Sequence, residues 1–249
     1  MRTIKIGIVA EGGSDSIVIQ GLLRSYIKKS GAFPDCELKF LNLQPYIDNT
    51  SRSRFSEGGW MQVFKWCISN PPQERRVAYL GDGLFSDGMD AFNCSALVIH
   101  MDADICDKIG DKTTVTPVPQ KTHVPATRGR FIADVLNEWL WPPGEVSDQK
   151  HLISPAVEST EAWLVAGLSE EDNLPESDHD IQKRLAELDH IVIRNSPVPK
   201  DLKKPKKSFV NYMKITNFAS DNIDRILLKC PHFKAMVDQV AQIVNATPA

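Results

Sequence analysis

Three short apolar runs, each closed by an acidic residue, constrain this chain more than anything else in it. Ile4–Ala10 ends on Glu11, Ser95–Met101 ends on Asp102-Ala103-Asp104, and His151–Val157 ends on Glu158, with Glu161 close behind. Runs of this length without strict polar alternation read as parallel strands buried on both faces. In such a sheet the carboxyl ends lie along one edge, where ligands bind. Three acidic strand ends would then meet. Crowded carboxylates are unfavourable unless a positive charge sits among them, and Mg²⁺ or Mn²⁺ suits an all-oxygen set.

The segments between the runs predict helices. After Glu11-Gly12-Gly13 the glycines permit a tight turn, and Ser14 or Asp15 can cap a helix running to about Lys29. Val18, Ile19, Leu22, Leu23, Tyr26 and Ile27 form its apolar face. A second strand is expected over Glu37–Leu43 and a helix over Trp60–Ser69, ended by Pro71-Pro72. Tyr79–Met89 reads as an irregular loop, and Ile105–Thr127 as an exposed polar insertion. Helical spacing returns over Arg130–Trp141 and Glu158–Leu168. Residues 169–180 look like an acidic linker, followed by helical patterns at Ile181–Leu188, Phe209–Phe218, Ile223–Leu228 and Phe233–Val244. The expectation is therefore α/β. A mostly parallel sheet flanked by helices fills 1–168, and a helical extension packed on that core fills 169–249.

Composition narrows the class without naming a function. With 249 residues, 42% hydrophobic and 24% charged, the chain has the make-up of a globular protein. No apolar run is long enough to span a bilayer, so no membrane partner is expected. Five cysteines, an odd number without Cys-x-x-Cys spacing, speak against zinc or a disulfide framework and for a reducing cytoplasm. The net charge of -3 excludes a uniformly basic nucleic-acid binder. Neither Gly-x-Gly-x-x-Gly nor a Walker A sequence is present.

Within the acidic set, Asp102 and Asp104 stand two apart and would point the same way in extended backbone, so one ion could meet both. Asp15 reads equally as a first-turn acid and as a metal contact. Glu161 could likewise complement a helix dipole. His100, inside an apolar strand, reads as a buried, hydrogen-bonded histidine rather than a ligand, and Trp139, Trp141 and Trp163 read as core.

Glu11-Gly12-x-x-Asp15 after a short strand, followed by a strand ending in Asp102-x-Asp104, resembles the Toprim domain of topoisomerases, primases and OLD-family nucleases. The stretch Ala156-Val157-Glu158-Ser159-Thr160-Glu161-Ala162-Trp163-Leu164 and the segment from Tyr212-Met213-Lys214 onward are similar to an uncharacterised bacterial Toprim-like family. The resemblance implies a Toprim/Rossmann-like sheet. It makes Glu11 the acid/base or metal-bound carboxylate, Asp102 and Asp104 the holders of Mg²⁺, and Asp15, Glu158 and Glu161 the candidates for a second ion. The implied activity is phosphodiester hydrolysis on nucleic acid, with an ATPase or other protein as a possible partner. The chain lacks the large flanking domains of a topoisomerase.

For the phosphates of such a substrate, the basic run Lys200-Asp201-Leu202-Lys203-Lys204-Pro205-Lys206-Lys207 is the first candidate, Arg52 and Arg54 the second, and Arg128 and Arg130 the third. Two other classes remain open on sequence grounds. A nucleotide-sugar glycosyltransferase also ends an apolar strand in Asp-x-Asp, and a non-catalytic partner subunit could keep the acids without using them.

Overall fold

Alternation along the first strand sets the layers of the molecule. In β1 (Arg2–Val9), Ile4, Ile6 and Ile8 point to one face while Gly7 and Val9 serve the other, and all five are buried. β1 pairs in parallel with β2 (Cys36–Gln44) on one side and with β3 (Ala96–Asp102) on the other. β3 pairs in parallel with β4 (His151–Ala156), giving the order β2-β1-β3-β4. The computed structural model describes residues 2–33, 35–45, 59–81, 93–171, 174–202, 204–205 and 208–246. Arg52, Arg54, Lys203, Lys206 and Lys207 lie outside the described residues, as does most of the loop expected over Tyr79–Met89.

Both faces are covered, as the continuous apolar runs require. α1 (Gly13–Lys29), α5 (Glu161–Leu168) and the later helices bury Ile4, Ile6 and Ile8. α2 (Trp60–Ser69) and α4 (Pro125–Leu140) cover Val9, Leu97, Ile99 and Met101. The step β1 to β2 and the step β3 to β4 run in opposite directions across the sheet. Right-handed crossovers then place α1 and α4 on opposite faces.

Four local expectations are corrected. Pro71-Pro72 does not simply end a helix, because Pro72 opens α3 (Pro72–Tyr79). Proline lacks only an N–H that a first-turn residue leaves unbonded anyway. The same logic starts α4 at Pro125, five residues before Arg130. The stretch after β3 is not uniformly an exposed insertion. It turns as a 3-10 helix over Ala103–Lys108, and Ile105, Cys106 and Ile109 are buried beneath α4. Farther along, the Thr114 N–H donates to Glu138 Oε1 of α4 at 2.9 Å. The acidic stretch 169–180 is also more than a linker. Its Pro175 and Glu176 are buried, and Glu176 pairs with His232 of α9 (Pro231–Ala246) at 3.0 Å.

The C-terminal stretch contains α6 (Ile181–Leu188), α7 (Phe209–Ser220), α8 (Ile223–Lys229) and α9. It shares one apolar core with α1, α5 and the sheet. α7 lies so close to its neighbours that two glycines are required by contact. A Cβ on Gly21 of α1 would stand 2.5 Å from Thr216 Cγ2, and one on Gly167 of α5 would stand 2.5 Å from the Ala219 carbonyl oxygen. Ser208 caps α7, its hydroxyl accepting from the Asn211 N–H at 3.2 Å. Trp163 of α5 is fully buried, its ring 5.0 Å from that of Phe233. Among the described residues no helix is long and apolar enough to cross a membrane.

Candidate functional site

The carboxyl ends of β1, β3 and β4 lie side by side, and one acid at or after each of them (Glu11, Asp102 and Glu161) lines a common hollow. Glu11 leaves β1 directly opposite the end of β3, where its Oε1 accepts from the Asp102 backbone N–H at 2.9 Å. The backbone N–H of Trp60, at the start of α2, also bonds the Glu11 carboxylate. Asp15 comes from the first turn of α1 and is buried, with Oδ1 accepting from the Thr160 hydroxyl at 2.8 Å. Glu161 comes from the first turn of α5, and its Oε1 accepts from the Tyr212 hydroxyl of α7 at 2.6 Å. Glu11, Gly12, Asp15, Asp102, Glu161 and Tyr212 line one open cavity of about 360 Å³.

Asp104 and Glu158 are placed differently from the first group. β3 stops at Asp102, so Asp104 already belongs to the 3-10 turn, and the extended-strand argument that would aim both aspartates the same way does not hold. Asp104 lines a neighbouring hollow of about 310 Å³ with Glu158 and His179; Gln182 borders both hollows. Glu158 adopts φ 61°, in the left-handed region, which is uncommon for a residue with a side chain. Its Oε1 sits 2.5 Å from Arg128 Nη1 and 3.0 Å from His179 Nδ1. Arg128 is buried, its Nε donating to the His123 carbonyl at 3.2 Å. It is therefore committed to an internal ion pair rather than offered to a phosphate.

Two sequence expectations about ligands change character. Asp15 does not cap α1, whose N-cap is Gly12 without a side-chain bond; its carboxylate turns inward instead. His100 is buried and hydrogen-bonded as expected, its Nδ1 lying 2.8 Å from the Ser154 carbonyl oxygen. Its other nitrogen, Nε2, is 3.3 Å from Asp102 Oδ1. Asp15, His100 and Asp102 each present a ligand atom, and these atoms lie within 4.8 Å of one another. The signal for His100 was present in the chain: residues 100 and 102 share a face of one strand. Tyr212 and Thr160 carried no such signal.

Like charges dominate the electrostatics. Burial raises the Asp102 carboxyl well above its ordinary range, and Asp15, Glu11, Glu161 and Asp104 push it further. Burial also lifts Glu11, to about 8, reinforced by Asp15 and Asp104 and opposed by the two backbone N–H donors. Asp104 is raised by burial, with Lys108 and Lys121 pulling the other way. Such a set favours protons or cations. Comparison with protein-family models, curated proteins and solved structures gives no match. The chemistry of the site has to be argued from these residues.

A pH dependence follows. Glu11 titrates near 8 in the fold against an ordinary 4.5, so it binds its proton more tightly when folded. Its stabilising contribution is complete below about pH 4.5 and is lost as pH rises through 8. Without divalent cations, the melting temperature of wild type relative to Glu11→Gln is expected to fall between pH 6.5 and pH 8.5. A difference between the two proteins that stays flat over this range in differential scanning calorimetry would contradict the assignment.

Proposed function

We propose that this chain is a Toprim-like, divalent-metal-dependent enzyme that cleaves or transfers phosphodiesters of nucleic acid. One observation carries the reading. Acids from separate elements of the sheet edge, Glu11, Asp15, Asp102 and Glu161, line one open cavity, with Glu11 bonded across to the end of β3. A carboxylate cluster of this kind is a poor structural element by itself, because repulsion and burial both work against it. It fits a hard cation.

Asp102 and Asp15 are the holders of such an ion, with Glu161 lining the same cavity. Bound Mg²⁺ or Mn²⁺ supplies charge stabilisation for a phosphoryl oxygen and acidifies a water. The protein's own groups do the positioning. Two backbone N–H donors orient the Glu11 carboxylate toward the cavity, where it can take the proton of an attacking water. Thr160 fixes Asp15 and Tyr212 fixes Glu161, so neither carboxylate has to be organised during the reaction.

The surroundings suit a polyanion. Lys200 and Lys204 are exposed, and the basic run to which they belong leads into Ser208 and Phe209, which border the cavity. Pro45 and Gly59 also border it, and the chain between them carries Arg52 and Arg54. Phosphate contacts of this type give salt-dependent, sequence-independent affinity.

The test is cleavage of labelled single- and double-stranded DNA and RNA by purified protein with Mg²⁺, Mn²⁺ or EDTA. Metal-dependent cleavage, lost in Glu11→Gln at matched folding, is the expected result. Absence of cleavage by wild type across these substrates and both metals would overturn the proposal.

A further inference from the structure

His100 is held as a metal-binding histidine is held. Its Nδ1 lies 2.8 Å from the carbonyl oxygen of Ser154 on β4. A carbonyl can only accept, so Nδ1 carries the proton, and in the neutral ring the lone pair is left on Nε2. Metal-ligating histidines almost always anchor the opposite nitrogen in this way. The ring is fully buried and set edge-on against Trp163, with centroids 5.7 Å apart, which leaves it little freedom to turn.

The lone pair faces oxygen. Nε2 is 3.3 Å from Asp102 Oδ1, and ligand atoms of Asp15, His100 and Asp102 all lie within 4.8 Å of one another. Two ligands each about 2.0–2.2 Å from one ion are roughly 2.8–3.6 Å apart at octahedral to tetrahedral angles, so the His100–Asp102 separation matches a shared cation. The Asp102 side chain keeps 16% exposure, which leaves a way in from the cavity.

We propose that His100 Nε2 is a ligand beside Asp15 and Asp102, and that this nitrogen makes the site select a first-row transition cation such as Mn²⁺ over Mg²⁺. This rests on the metal site proposed above and narrows its occupant. Mg²⁺ prefers a shell of oxygen and retains its waters, whereas imidazole binds first-row transition ions well. The nuclease-like site would then be a mixed nitrogen–oxygen centre rather than the all-carboxylate one that the acidic residues alone suggest.

The decisive measurement is pulsed electron paramagnetic resonance on the purified 249-residue protein loaded with one equivalent of Mn²⁺, alongside calorimetric titration with Mn²⁺ and with Mg²⁺. Coupling of the bound Mn²⁺ to a ¹⁴N nucleus is expected, together with tighter binding of Mn²⁺ than of Mg²⁺. In His100→Gln the coupling should vanish and Mn²⁺ affinity should fall about 10–100-fold, the range seen when even outer-shell partners of a metal are lost. Mg²⁺ affinity should fall less. Mn²⁺ that binds without ¹⁴N coupling, with the ring simply ion-paired or hydrogen-bonded to Asp102, overturns this inference and leaves the metal-dependent enzyme standing. No binding of either ion overturns both. The wild-type spectrum decides the matter even if the variant does not fold.

Discussion

Asp102→Asn is expected to raise the melting temperature of the metal-free protein by a few degrees while removing the Mn²⁺ stabilisation and the metal-dependent cleavage proposed above. Asp102 is pushed toward its protonated form by burial and by Asp15, Glu11, Glu161 and Asp104. Asparagine keeps the shape and removes the charge, and its amide can donate to His100 Nε2, which already lies 3.3 Å from the Asp102 carboxylate. The backbone N–H of residue 102 still serves Glu11. Relief of such functional strain is commonly worth about 0.5–2 kcal/mol, which corresponds to roughly 1–8 °C for a chain of this size. On the proposed reading the ion would lose a charged ligand, and the proposed cleavage should drop by at least about 10²-fold. Thermal melts with and without 1 mM Mn²⁺ (on the order of a saturating concentration for a micromolar site) read both effects. A lower metal-free melting temperature, or an undiminished Mn²⁺ shift, would sink the argument.

Arg128→Ala should cost far more stability than any surface substitution. Arg128 is 1% exposed, and Glu158, which it meets at 2.5 Å, is similarly enclosed. Removing one partner leaves the other buried with, among the described residues, His179 alone in an ion pair with it, and that side chain is 60% exposed. Losses of about 3–5 kcal/mol are usual when a buried ion pair is broken this way. Urea unfolding should show a lower midpoint with an unchanged slope. The double variant Arg128→Met with Glu158→Gln should recover much of the loss, because neither partner is then left charged. A single-variant cost below about 1 kcal/mol, the range of a surface pair, would mean that Glu158 is not held by Arg128.

How much of this was legible in the chain depends on the range of the interactions. β1 and β3 could be read directly, because burial on both faces leaves a continuous apolar signature at Ile4–Ala10 and Ser95–Met101. The convergence of Glu11 with Asp102 followed from that parallel-strand reading. The extended-backbone argument for Asp104 failed because β3 ends at Asp102, and the turn that follows buries Ile105 and Cys106 under α4. The same apolar residues, interspersed with Asp104, Asp107 and Lys108, looked like a polar loop. α3 was hidden because Pro72 signals a stop as readily as a start. His100 was set aside for sitting in an apolar run, although its two-residue spacing from Asp102 was visible. Tyr212 and Thr160 touch acids 51 and 145 residues away, and no local pattern encodes such pairs.

The strand order has one more consequence. From β1 the chain departs toward β2, whereas from β3 it departs toward β4, on the other side. The connections that leave these two central strands therefore diverge above the sheet, and a topological switch point opens between them. Glu11 and Asp102 stand on its two banks. The crevice is thus a property of the winding rather than of the acids that line it. Substitutions at the acids can change what the crevice holds, and they leave its position untouched.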